Sequence, residues 1–224
     1  MKIYYHPVST TSRIVWLAAE ELGVKADYQV IDLMTGEHMK PPYSEMNPNR
    51  LVPLIEDGGF RLTESSAILK YLAEKAKSPA YPSDLQARAR VNEMMDWFNS
   101  NIYKDFAYGL VYPQIFPTHK RPTDEVQAAT LAWHKDRTIG WLEILDEKLI
   151  GPRKQYLCGD AITIADYFGG AILGLGDIIR CDYSRYPNIQ RWLGKMKALK
   201  SWPKVHEVFN GFAASVKDKP FVAI

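Results

Sequence analysis

The run Val8-Ser9-Thr10-Thr11-Ser12-Arg13 holds the first residues whose types and spacing could do chemistry. It follows a short strand pattern, Met1 to His6, closed by Pro7, and it leads into a helical pattern from Ser12 to Leu22. At such a turn the first N–H groups of the helix have no internal partner, and the helix dipole adds positive potential. The place favours an anion. Ser9-x-x-Ser12 has the spacing of a redox Cys-x-x-Cys pair, but serines cannot exchange disulfides. A serine hydroxyl can donate a hydrogen bond to a small molecule's thiolate sulfur, which favours the charged form and lowers its pKa. Ser9 is the candidate donor and Ser12 the alternative hydroxyl. Plain helix capping explains the same residues equally well.

Two further runs belong to the same argument. Thr63-Glu64-Ser65-Ser66 opens a helix. Its free N–H groups could bind a carboxylate, while Glu64 could accept from an ammonium group. That pairing suits the amino-acid end of a ligand, although capping is again an alternative. In Asn47-Pro48-Asn49-Arg50-Leu51-Val52-Pro53, a cis bond before Pro53 would present the Val52 N–H and C=O to an extended peptide. Together the runs describe a site for a thiol peptide, with its sulfur at Ser9, its backbone at Val52 and its amino-acid end at Glu64 and Ser65.

The elements that must position these residues follow from periodicity. Strands are expected at Met1–His6 and Tyr28–Leu33, with the helix Ser12–Leu22 between them and Gly23 as its stop. A weak helix over Glu37–Met46 is crowded by Pro41 and Pro42. Strands Pro53–Glu56 and Phe60–Leu62 flank a hairpin signal, Asp57-Gly58-Gly59, and Glu64–Lys75 reads as a helix. The order βαβ, then ββα, is that of a thioredoxin-like unit. From residue 78 onward the pattern is helical, so the expected fold is α/β plus all-α. The expected boundaries are a thioredoxin-like domain at 1–77, a linker at 78–86 and an all-helical domain at 87–224. Ser83 is expected to cap a long helix with Leu85, Met94, Phe98 and Ile102 on its apolar face. Pro122 and Thr123 open another, with Ala132, Ile139, Leu142 and Leu145 inward, and Thr163 opens a third, followed by two shorter ones.

Composition narrows the function classes. The 224 residues carry 28 basic and 26 acidic side chains, a net charge of +2, with no concentrated basic block. That argues against a nucleic-acid binder. No apolar run approaches a membrane span, and the N-terminus resembles neither a signal nor a transit peptide, so a cytoplasmic protein is expected. Cys158 and Cys181 form no CxxC pair and have no His at ligand spacing; two free thiols and no metal are expected.

As a set these motifs resemble the cytosolic glutathione transferases over nearly the whole chain. The markers are Ser9-x-x-Ser12-Arg13, Val52-Pro53, the run from Thr63 to Leu72, and Thr163-Ile164-Ala165-Asp166, which matches the family's capping box. Gly36-Glu37-His38 and the run from Tyr81 to Val91 resemble the theta class. The resemblance implies that Ser9 is the catalytic serine and that Glu64 and Ser65 hold the γ-glutamyl end. It makes Val52, before Pro53, the backbone contact and takes His38 to the glycyl end. Two departures stand out. Leu51 occupies the place of a frequent lysine, leaving Arg50 as the candidate replacement. Asn99, Ser100 and Asn101 stand near the place where family members borrow an acid from the neighbouring subunit.

The implied function is activation of the glutathione thiol for attack on a small electrophile such as an alkyl halide, epoxide or peroxide. The electrophile pocket is expected at Tyr108, Tyr112 and Phe116, with Tyr103 and Phe106 nearby, although core packing is an alternative for these aromatics. The tail from Lys217 to Ile224 either covers this pocket or frays. Glutathione is the implied co-substrate and a homodimer the implied assembly. A glutathione-dependent disulfide reductase or peroxidase is the rival enzyme. A non-catalytic binding protein retaining the fold is the rival of another class.

Overall fold

The computed structural model describes residues 1–224. The first part is β1 (Lys2–Tyr5), α1 (Thr10–Glu21), β2 (Asp27–Val30), α2 (Tyr43–Met46), β3 (Leu54–Asp57), β4 (Phe60–Leu62) and α3 (Ser65–Lys75). The sheet order is β2-β1-β3-β4. β1 runs parallel to β2, with Ile3 opposite Tyr28, and antiparallel to β3, with Ile3 opposite Ile55. β3 and β4 form the antiparallel hairpin, and Gly58 and Gly59 at its turn both take positive φ, which glycine adopts without steric penalty. This is the thioredoxin-like arrangement.

The second part is all helix. α4 (Leu85–Trp97) continues through wider π-helical turns at Phe98–Val111 into α5 (Tyr112–Ile115). α6 (Asp124–Ile144) ends in π-helical turns at Leu145–Ile150. Then come α7 (Ile164–Gly174), α8 (Gly176–Ile179), α9 (Pro187–Lys197) and α10 (Trp202–Ser215). α7 is buried at every residue, and α1 packs against it, against α3 and against α10. One apolar core therefore runs through both parts: Ile3, Leu17 and Leu69 belong to the same cluster as Phe98, Phe168 and Trp192.

Asp166 holds the start of α7. Its carboxylate accepts from the Thr163 N–H and hydroxyl at 2.8 and 2.9 Å, from the Leu157 N–H at 2.8 Å and from the Trp192 indole at 2.8 Å. The capping box read in the sequence is present.

Several local expectations are corrected. The helix expected over Glu37–Met46 is split into a 3-10 turn, Glu37–Met39, and α2, because Pro41 and Pro42 lie between them. α4 is capped by Asp84 and not by Ser83; the Asp84 carboxylate accepts from the Ala87 N–H at 2.9 Å. Leu85 is 79% exposed, and Ala132 is exposed while Leu131 and Thr138 are buried. Leu85 lies about two and a half turns before the buried Met94 and so on the opposite face of α4, and Ala132 stands one place past Leu131, which with Thr138 and Leu142 forms the buried stripe of α6.

Candidate active site

Ser9 stands at the N-cap of α1 in extended backbone conformation, and its Oγ accepts from the Ser12 N–H at 3.3 Å. It lies 3.2 Å from the Thr11 hydroxyl, which lies 3.0 Å from the Val52 carbonyl oxygen and donates to it. Thr11 has one proton. With that proton on Val52, Ser9 must be the donor in the Ser9–Thr11 contact. The Ser9 proton is thus held only by a neighbouring hydroxyl and can turn toward a better acceptor.

A cavity of about 260 Å³ opens beside this turn, lined by both parts of the chain. Ser9, His38, Arg50, Val52, Pro53, Glu64 and Ser65 line it from the sheet side, and Tyr108, Tyr112 and Phe116 from the helical side. The Val52-Pro53 bond is cis. Only four non-glycine residues take positive φ, and two of them, Arg50 at 55° and Glu64 at 64°, are in this lining. Backbone strain of that kind costs on the order of 1–3 kcal/mol and gathers at functional sites. Glu64 precedes α3 and makes no side-chain cap, so its carboxylate stays exposed beside the first turn of the helix.

The helical wall is an aromatic cluster. Tyr108 and Tyr112 lie edge to face with ring centres 5.1 Å apart, and Tyr112 and Phe116 are tilted with ring centres 5.5 Å apart. The Tyr112 hydroxyl donates to the Thr10 Oγ at 2.9 Å and lies 3.2 Å from the Tyr103 hydroxyl. Burial pushes both phenols upward, that of Tyr103 strongly. They stay protonated at neutral pH and offer protons, not charge. Burial also lowers the His6 imidazole; Asp32 opposes this shift and His38 adds to it. The His38 Nδ1 is buried without a protein partner.

The comparisons with known proteins bear directly on this arrangement. Residues 3–80 match the glutathione S-transferase N-terminal domain, and residues 111–200 match the glutathione S-transferase C-terminal domain. The chain belongs to the glutathione S-transferase family. Within it the transferase is theta-like. It is 35% identical over 170 residues to human glutathione S-transferase theta-1, covering 74% of this chain and 69% of that one. It is 32% identical over 203 residues to human glutathione S-transferase theta-2B, covering 88% and 81%. The structure of human glutathione-S-transferase T1-1 in its apo form superposes with a TM-score of 0.76 at 29% identity, over 98% of this chain and 91% of that one. A delta-class glutathione transferase from Nilaparvata lugens superposes with a TM-score of 0.80 at 31% identity, over 96% and 98%.

Of the residues singled out in the sequence for the thiol peptide and its electrophile, Ser12 and Phe106 do not line the transferase's cavity; Phe106 is fully buried in the core. Ser12 is fully buried; its hydroxyl accepts the His6 N–H at 3.2 Å and does not line the space. The C-terminal tail does not line it either, and it is tied down rather than frayed. Gln114 exchanges two hydrogen bonds with Val222 at 2.8 and 3.0 Å, and the Asp182 N–H donates to the Ile224 carbonyl at 2.8 Å. Sequence reading missed His6, Thr10 and Thr11. Thr10 and Thr11 stand inside the run that was singled out; only their partners, Tyr112 and Val52, 102 and 41 residues away, give them a role.

Cys158 and Cys181 are free thiols, and burial is the leading cause that raises both to about 11. No group of three or more His, Cys, Asp or Glu side chains could hold a metal ion. No helix is long and apolar enough to cross a membrane.

Proposed function

We propose that this transferase binds glutathione with its sulfur at Ser9 and adds that sulfur to a small electrophile held against Tyr108, Tyr112 and Phe116. The observation that carries the reading is the single spare proton on Ser9, at the positive end of α1 and at the edge of a cavity shared by both parts of the chain.

The Ser9 hydroxyl turns from Thr11 to the sulfur. A hydrogen bond to the charged form lowers the thiol pKa, and the dipole of α1 acts in the same direction. The thiol proton leaves to solvent. The thiolate attacks the electrophilic carbon, a sulfur–carbon bond forms and the leaving group departs with its electron pair. With a halide nothing more is needed; an epoxide oxygen takes up one proton. A peroxide is attacked at oxygen instead: its alkoxide leaves and takes up a proton, and a second glutathione thiol closes a disulfide on the oxidised sulfur with loss of water. The apolar aromatic wall favours small alkyl halides, epoxides and peroxides over charged substrates.

The peptide is held at three places. Val52 pairs with the cysteinyl backbone, with Pro53 fixing the turn. Glu64 accepts from the γ-glutamyl ammonium, while the first N–H groups of α3, at Ser65, receive its carboxylate. His38 and Arg50 reach the glycyl carboxylate, and Leu51, 58% exposed, leaves that end without a lysine. The division into a glutathione domain at 1–77, a linker at 78–86 and an electrophile domain at 87–224 follows from these roles. A cytoplasmic homodimer completes the reading.

The test is turnover of glutathione with an alkyl halide beside turnover with a mixed disulfide. Faster release of halide, lost in Ser9→Ala, supports the reading. Faster reduction of the disulfide would make a reductase of it, and failure to bind glutathione in calorimetry would leave a binding protein of another kind.

A further inference from the structure

Arg13 lies on α1 four residues after Ser9, and none of its surface is exposed. Its guanidinium lies over the Phe209 ring of α10, 3.5 Å from the ring centre. Its Nε and both terminal nitrogens have no hydrogen-bond partner in the protein. A lone buried cation is costly, and buried charges are as a rule paired. Burial lowers this guanidinium to about 9, so it remains charged at neutral pH.

The groups around it do not neutralise it. Tyr112 of α5 and Tyr103 of the π-helical turns carry protonated phenols. Asp177 of α8 is paired with Lys197 at 2.8 Å. His206 of α10 is stacked on Trp202 at 3.8 Å, and its Nδ1 lies 3.0 Å from the Trp202 carbonyl. Burial, and then the Arg13 charge, push His206 down to about 3, so it is neutral too. Asp166 of α7 is bonded to Thr163, Leu157 and Trp192. What lies near it and leads outward is a chain of hydroxyls, Tyr103 to Tyr112 to Thr10, ending beside Ser9 at the cavity.

We propose that the counter-charge of Arg13 is the glutathione thiolate at Ser9, and that Arg13 is a positioning residue that lowers the pKa of the bound thiol. The proposal rests on the glutathione site described above. Four residues along a helix span about 6 Å. A unit charge roughly 10 Å away, at an effective dielectric constant near 20, shifts a pKa by about one unit. Arg13 touches no substrate. It acts through the field it sets up behind the first turn of α1.

The experiment is a titration of the ultraviolet absorbance of glutathione thiolate bound to the wild type, to Arg13→Met and to Arg13→Lys. The Met variant should raise the bound thiol pKa by about one unit, and the Lys variant should restore most of the shift. S-methylglutathione, which has no thiolate, should bind all three alike. A Met variant with the wild-type thiol pKa would overturn the proposal, as would a Lys variant displaced as far as Met, since that is the mark of lost packing. Should Arg13→Met not fold, Arg13→Gln, which also removes the charge, takes its place in the same titration with the same outcomes. A wild type that binds no glutathione sinks this inference and the glutathione site together, whereas binding with an unmoved pKa sinks this inference alone.

Discussion

At the scale of single residues, three side chains divide the work at the turn before α1. Ser9 has a proton free to turn, Thr11 donates its own to Val52, and the Ser12 hydroxyl, fully buried, accepts from the His6 N–H. Ser9→Ala should therefore keep glutathione affinity but lower turnover roughly ten- to hundredfold, the worth of one hydrogen bond to a charged group. Steady-state kinetics with saturating glutathione measures this, and an equal loss in Ser12→Ala with none in Ser9→Ala would reverse the assignment. Thr11→Val frees the Val52 carbonyl from its tether, so KM for glutathione should rise several-fold while kcat stays nearly constant. On the proposed placement of the γ-glutamyl end at Glu64, remote from the sulfur, Glu64→Ala should weaken glutathione binding more than it slows the saturated rate; calorimetry with an unchanged Kd would contradict that. Much of this site was legible beforehand. Ser9, Val52 and Glu64 each stand where a strand or loop meets a helix or strand, and residue type there limits the chemistry. The Thr11 and Thr10 contacts were not legible, since their partners come from distant sequence.

At the scale of elements, the sheet and α3 follow from apolar periodicity and the Asp57-Gly58-Gly59 turn, and they emerged within a few residues of expectation. The long helices were harder. Phe98–Val111 runs in π-helical turns, and Gly109 lies so close to the His134 ring that a Cβ there would meet it at 2.1 Å. The same segment carries Asp105, 1% exposed, which accepts from the Trp141 indole at 2.7 Å, from Arg137 at 2.9 Å and pairs with His134 at 3.0 Å. No local pattern marks an aspartate that joins α6 to the preceding helix from 29 to 36 residues away. Burial pushes the Asp105 carboxyl up, but the donors from Trp141 and Arg137, and then His134, outweigh it and hold it below its usual value. A carboxyl lowered in the folded state adds stability above its unfolded pKa of about 3.9, and that stability is lost as pH falls through the folded value. Asp105→Asn should cost on the order of 2–3 kcal/mol at neutral pH, and its deficit against the wild type should shrink below about pH 4. Urea denaturation at both pH values checks this; a deficit that does not change with pH would show that Asp105 acts through packing alone.

At the scale of the whole molecule, α1 is the shared part. Its N-terminus faces the cavity, and its flanks pack against α3 on the sheet side and α7 and α10 on the helical side. The outer surface suits a second copy of the chain. Phe60 is 49% exposed against Tyr71, with ring centres 5.5 Å apart, and Arg88 of α4 pairs with Glu74 of α3 at 2.6 Å. Light scattering at micromolar concentration should give twice the 25.6 kDa of one chain; a single-chain mass that persists as concentration rises would exclude the dimer. The central claim is the place of the sulfur, and a structure determined with glutathione bound tests it most directly. The sulfur should lie within hydrogen-bond distance of the Ser9 Oγ, with the Ser9–Thr11 contact broken and the γ-glutamyl end at Glu64. A sulfur bound elsewhere, with the Ser9 hydroxyl still turned to Thr11, would contradict it.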